Sequence, residues 1–129
     1  MEDCGAQFLP GADCWNDLAA WWLVHPRGAN KPNWDLAVAR DFAGKPGLAL
    51  LEAKAHENEL DWAGKRLRTD GSANSIENHE RIGQAIAEAG AALDRVVAGV
   101  RIARDTHYQL ANRVAYSWKL ASMGIPMRN

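Results

Sequence analysis

Cysteine is scarce in this chain. Cys4 and Cys14 are the only two, and no CxxC spacing is present. Two cysteines cannot build a disulfide scaffold or a four-thiolate zinc site, so reduced thiols are expected. No apolar run approaches the ~20 residues needed to span a bilayer. The opening segment MEDCGAQFLPG has neither a basic n-region nor an apolar h-region. It does not read as a secretory signal, which makes a cytoplasmic setting the expectation and a membrane partner unexpected. His56-Glu57 lacks the second histidine of a zinc-protease helix. Net charge is −1, too small for strong undirected attraction to nucleic acid. No internal repeat or low-complexity tract occurs.

What remains describes one soluble globular domain over residues 1–129. The chain is long enough to bury roughly two-thirds of its unfolded surface. Its charge is segregated. Residues 1–64 carry ten acids and five bases, whereas residues 65–129 carry six acids and ten bases. Such asymmetry suits a cation in the first half and a polyanion on the second, or an ordinary solvated surface.

Punctuation and periodicity predict a mixed α/β (α+β) layout. Residues 1–13 read as a loose leader. Residues 14–24 carry Trp15, Leu18, Trp22 and Leu23 at helical spacing, with Asp13 as a cap. Trp21 and Trp22 cannot both face the core. Residues 34–42 alternate as a strand, Ala43 to Gly47 is a turn, and residues 48–55 form a second strand, apolar on both faces and therefore central. The two strands make a hairpin. After a polar connection, Asn74 with Glu77 forms a capping box for a helix of some 24 residues. Its stripe is Ile82, Ile86, Ala89, Leu93, Val96 or Val97, and Val100, and Gly99 ends it. Within it, Gly83 and Gly90 either weaken the helix or permit close packing. Thr106 with Gln109 caps a last helix whose apolar line is Leu110, Val114, Trp118 and Ala121, stopped by Gly124 and Pro126. Residues 124–129 leave no room for the further strand that such a turn usually introduces, so the final strand is expected to be missing. A homo-oligomer or partner chain completing the sheet is one way to supply it.

The chemistry gathers at a strand end. Glu52 and Lys54 are two residues apart and project to one face of the second strand. A lone charge beside the apolar Leu48, Leu50 and Leu51 is costly and needs a counter-charge or a metal. In a hairpin the start of one strand lies beside the end of the next, so Asp35 meets Glu52. Two carboxylates with an amine suit phosphodiester hydrolysis. The acids hold Mg²⁺ (or Mn²⁺) through hard oxygens and the lysine steadies developing charge. The bland alternative is a cross-strand ion pair.

Trp34-Asp35-Leu36 followed by Glu52-Ala53-Lys54 resembles the PD-(D/E)XK, or restriction-endonuclease-like, nuclease superfamily. The layout of SIENHERIGQAIAEA and HYQLANRVAYSWKLASMGIP is similar to an uncharacterised bacterial group within it. The resemblance spans roughly residues 14–126, with specificity in the three charged positions. Trp34 stands where the family usually has proline. The resemblance implies a restriction-endonuclease-like core of N-terminal helix, central strands and two following helices, acting on DNA. It implies Asp35 and Glu52 as metal ligands, the Ala53 carbonyl as a third, and Lys54 as the catalytic lysine.

Other residues are candidates of lower specificity. Asn78, His79 and Gln84 can face the site from the long helix, or form an exposed helix start. Lys65, Arg66, Arg68, Arg113 and Lys119 can hold phosphates, or be solvated surface. Glu57 and Glu59 read as a turn, and His25 and His107 as loop and cap residues.

Overall fold

A computed structural model describes residues 14–32, 34–52, 62–67, 71–124 and 127–128. The 1–13 leader, with the proposed Asp13 cap, lies outside the described residues. Helix α1 spans Cys14–Trp22, strands β1 and β2 span Leu36–Phe42 and Lys45–Leu51, helices α2 and α3 span Ala73–Val96 and Tyr108–Ser122, and β3 spans Met127–Arg128. The expected mixture of helix and strand is present.

The hairpin forms, with a tighter turn than the five residues expected from Gly44, Pro46 and Gly47. Phe42 pairs with Lys45, leaving a two-residue loop in which Ala43 (φ 54°) and Gly44 (φ 82°) are both left-handed. Two positive φ values in sequence make the turn whose twist matches that of paired strands. The Gly44 N–H donates to Asp41 Oδ1 at 2.7 Å, which favours this turn over a longer loop. Strand β2 therefore starts three residues earlier than periodicity indicated and ends at Leu51. Pro46 is tolerated because it lies beyond the two positions, Leu48 and Ala49, at which β2 pairs with β3.

Strand β2 is central, as expected, in a three-stranded sheet of order β1-β2-β3. The expectation of a missing final strand is corrected: Met127 and Arg128 pair in parallel with Leu48 and Ala49. Parallel neighbours need a long crossover, and α2 and α3 supply it. The two faces of β2 are also less alike than its apolar composition suggested. Leu50 is buried in the core, whereas Leu51 and its cross-strand partner Leu36 are about half exposed. The helices cover one face only.

Both expected capping boxes are corrected. Ser72 caps α2, its hydroxyl accepting from the Ser75 N–H at 3.3 Å. His107, in the left-handed region, occupies the N-cap position of α3 without a side-chain bond. Thr106 is drawn instead into backbone pairing with Ala63 and Ala103. Gly124 (φ 86°) follows α3 as anticipated, its N–H donating to the Ala121 carbonyl.

Helix α2 buries Ile82, Ile86 and Ala89 as its period dictates, but the stripe stops there. Val96 and Val97 are largely exposed because the helix ends at Val96. At Gly83 and Gly90 an added Cβ would crowd Arg104 and Ile102, so the glycines serve close packing. The expected apolar line of α3 is buried only in part, with Trp118 packed against the core. Leu110 is 61% exposed and Ala121 is exposed, while Ala111, Asn112, Ala115, Tyr116, Ser117 and Leu120 are buried. Alanines on this face, with Ala85 and Ala89 buried on α2, let backbones approach closely, which outweighs the larger side chains on the other face.

Around Tyr116 the aromatics converge. Trp22 meets it edge-on at 5.3 Å between ring centres, and Trp34 lies at 5.8 Å. Trp22 is fully buried and Trp21 only partly, its indole N–H donating to Glu88 Oε2 at 2.8 Å. Among the described residues no helix is long and apolar enough to cross a membrane.

Truncating two leucines on α3 separates the two faces. Leu120→Ala, at a fully buried position, should cost about 2–5 kcal/mol in urea unfolding. Leu110→Ala should cost no more than about 0.5 kcal/mol. Equal losses would contradict the buried face described.

Candidate functional site

The β1–β2 register ends at the pair Leu36 and Leu51. Asp35 and Glu52 are the next residues along the two chains, just outside the paired strands, and Asp35 is exposed. Glu52 stands two residues on from Leu50, so Glu52 is aimed at the helical layer while Leu51 is not.

Arg113 of α3 meets it there. Its Nη2 donates to Glu52 Oε1 at 3.0 Å, with both side chains about one-fifth exposed. Nη1 of the same guanidinium donates to Asn112 Oδ1 at 2.8 Å. With its oxygen so engaged, Asn112 turns its amide toward the Tyr108 hydroxyl, four residues back on the same helix face. Burial raises the Tyr108 pKa, opposed by the Asn112 bond and the Arg113 charge, so the hydroxyl stays neutral at physiological pH. The Lys65 ammonium lies 5.0 Å from the centre of the Tyr108 ring. Half-burial lowers the Lys65 pKa. Glu52, Arg113, Asn112, Tyr108 and Lys65 thus form one continuous polar path from the sheet rim to the start of α3.

Several expected site residues go elsewhere. Asn78, at 9% exposure, latches the loop after α1: its Oδ1 accepts from the His25 N–H and its amide donates to the His25 carbonyl, both at 2.8 Å. His25 also meets Glu77 at 2.8 Å, so it is more than a loop residue. Gln84 lines an open cleft of about 600 Å³ between α2 and residues 102–105, whose lining includes neither Asp35 nor Glu52. Lys119 lies over the rings of Trp21 and Trp118 at 5.2 and 5.9 Å, a cation–π seat away from the Glu52 rim. Arg66 is exposed. Ala53, Lys54, Glu57, Glu59 and Arg68 lie outside the described residues.

His79 does belong to the cationic neighbourhood. Burial lowers its pKa first, and the charges of Arg104 and Lys65 lower it further. Its Nδ1 is buried without a hydrogen-bond partner.

The donor set bears on a metal. Among the described residues no three His, Cys, Asp or Glu side chains form a ready-made ion site. Two carboxylates nevertheless suffice for Mg²⁺, which keeps several waters and takes the rest of its shell from phosphate. Asp35 and Glu52 fit such an ion in kind and number. Sequence reasoning missed Asn112 and Tyr108 and took Arg113 for a phosphate contact. The signal was the i, i+4 spacing of Tyr108 and Asn112, hidden by the misassigned face of α3.

No family model matches the chain, and comparison with characterised proteins and with solved structures also finds no match.

Two solution measurements follow. A double-mutant cycle with Glu52→Gln and Arg113→Met should return a coupling of about 0.5–3 kcal/mol in unfolding free energy. Zero coupling would mean that the pair does not form. For His79, the unfolded chain takes up its proton at a higher pH than the folded one, so stability present above pH ~6.5 is lost as pH falls. His79→Gln should therefore lower the slope of Tm against pH between about pH 7 and 5. An unchanged slope would exclude the depressed pKa.

Proposed function

We propose that the chain is a metal-dependent nuclease-like domain of the PD-(D/E)XK kind, hydrolysing phosphodiester bonds in DNA. The observation that supports this reading is the hairpin register, which ends at Leu36 and Leu51, the residues directly next to Asp35 and Glu52. The order of helix, hairpin, two helices and a strand parallel to β2 supports a restriction-endonuclease-like core.

Asp35 and Glu52 would hold Mg²⁺ or Mn²⁺, with the Ala53 carbonyl as a third donor. The bound ion supplies Lewis acidity toward phosphate and a more acidic water. Arg113 holds the Glu52 carboxylate in place while Asn112 fixes the guanidinium. Lys54 orients the attacking water and steadies the charge developing on phosphate. Lys65, Arg66 and Arg68 would supply the charge that attracts the DNA backbone, an interaction that weakens as salt rises.

A second reading draws on the same rim: Glu52 already has a guanidinium counter-charge. In that reading the domain is catalytically silent and binds nucleic acid or a partner chain.

Nicking of supercoiled plasmid decides between them. The enzyme reading requires Mg²⁺-dependent nicking, abolished by EDTA and by Glu52→Gln, and reduced about 10²–10³-fold by Lys54→Ala. Cleavage that survives all three changes excludes this site. No cleavage by the unaltered protein, with salt-sensitive DNA binding retained, establishes the silent reading.

A further inference from the structure

The tryptophans with described side chains divide sharply. Trp21, Trp22, Trp34 and Trp118 belong to the core or pack on it. Trp62 is 77% exposed, the largest exposure of any described aromatic residue named here. An indole held in water loses the benefit of burying its surface, so its position calls for a reason.

The backbone beneath it is firmly held. Residues 62–65 run antiparallel to residues 104–108. The Trp62 carbonyl accepts from His107 N–H at 3.2 Å, the Ala63 carbonyl accepts from Tyr108 N–H at 3.1 Å, and the Lys65 N–H donates to the Arg104 carbonyl at 2.8 Å. This pairing requires glycine between them: a Cβ on Gly64 would clash with the Asp105 backbone carbonyl. On the same support the Trp62 ring lies 4.3 Å from the His107 ring, tilted by 52°. The exposed ring is thus braced before any partner arrives, which limits the entropy lost on contact.

Two cations follow it closely: Lys65 and Arg66 lie within four residues, while one acid, Asp61, directly precedes it in sequence. The nearest acid in the paired strand, Asp105, is neutralised by Arg104 at 2.8 Å. The Lys65 ammonium sits at Tyr108, the end of the polar path leading to Glu52.

We infer that Trp62, braced by His107 and flanked by Lys65 and Arg66, is a stacking platform for an unpaired nucleobase of single-stranded DNA. The inference rests on the nucleic-acid reading above and narrows it to a strand class. A base inside a duplex presents only its edges, whereas an unpaired base offers its face to an aromatic ring while its neighbouring phosphates meet cations. An apolar peptide would gain from the ring but not from the two cations.

Binding of short oligodeoxythymidylate, measured in EDTA so that no cleavage intervenes, tests this. The unaltered protein should bind the single strand more tightly than a duplex of equal length, with quenching of tryptophan emission. Trp62→Ala should weaken single-strand binding about 5- to 150-fold, and Trp62→Phe much less. Arg66→Gln should reduce the slope of log affinity against log salt by about one. Single-strand binding unchanged in Trp62→Ala, equal binding of duplex, or no binding at all would overturn the proposal. So would a dimer that Trp62→Ala dissociates without any oligonucleotide binding. Binding that behaves as stated in a protein without nicking activity upholds the platform while the enzyme reading fails. Circular dichroism and urea midpoints equal to those of the unaltered protein establish that Trp62→Ala is folded.

Discussion

The Glu52–Arg113 ion pair joins the sheet rim to the helical layer. Glu52 leaves the core face of β2 at the point where Leu50 is already buried, and Arg113 reaches it from a helix far along the chain. Removing two charges from water is costly, and their attraction offsets that cost only when the remaining polar atoms are also satisfied. Here Asn112 Oδ1 accepts from the second arm of the guanidinium. The pair therefore requires α3 to present one particular face, and that face brings Ala111, Ala115, Tyr116 and Leu120 into the core.

The same geometry accounts for the placement of the cations. Arg113 is committed to Glu52, Lys119 to the Trp21 and Trp118 rings, and Arg104 to Asp105 and the His79 carbonyl. Each long side chain lays its apolar stem on packed surface and spends its charge locally. Lys65 likewise lies over the Tyr108 ring, whereas Arg66 is exposed on the braced segment beside Trp62. A polyanion approaching the molecule would meet these two beside an exposed aromatic ring, at the end of the polar path that begins at the candidate carboxylates.

Much of the hairpin was legible. Alternation in residues 34–42 and the apolar run ending at Glu52 pointed to two paired strands, and the register from Leu36 and Leu51 to Phe42 and Lys45 bears out the hairpin. The turn was misread because Ala43 adopts a left-handed conformation that alanine rarely takes, so Gly47 and Pro46 looked like better punctuation. The caps failed for a comparable reason. Asn74 and Thr106 are sound capping residues in isolation, but Ser72 comes earlier and Thr106 is recruited by Ala63 and Ala103. Asn78 read as a site residue because a buried amide has the same sequence signature whether it meets a substrate or a backbone.

Local periodicity by itself determined the element types, the length of α2 and the hairpin, since all of these depend on neighbours within a few residues or across one tight turn. Only the tertiary structure decided which face of α3 is buried, which cation answers Glu52, and that residues 127–128 add a strand beside β2. Helix α3 offers two apolar lines, one with Leu110, Val114 and Trp118 and another with Ala111, Ala115, Tyr116 and Leu120. The choice between them follows from how closely α2 and α3 can approach, a property of two helices together that neither stretch of sequence contains.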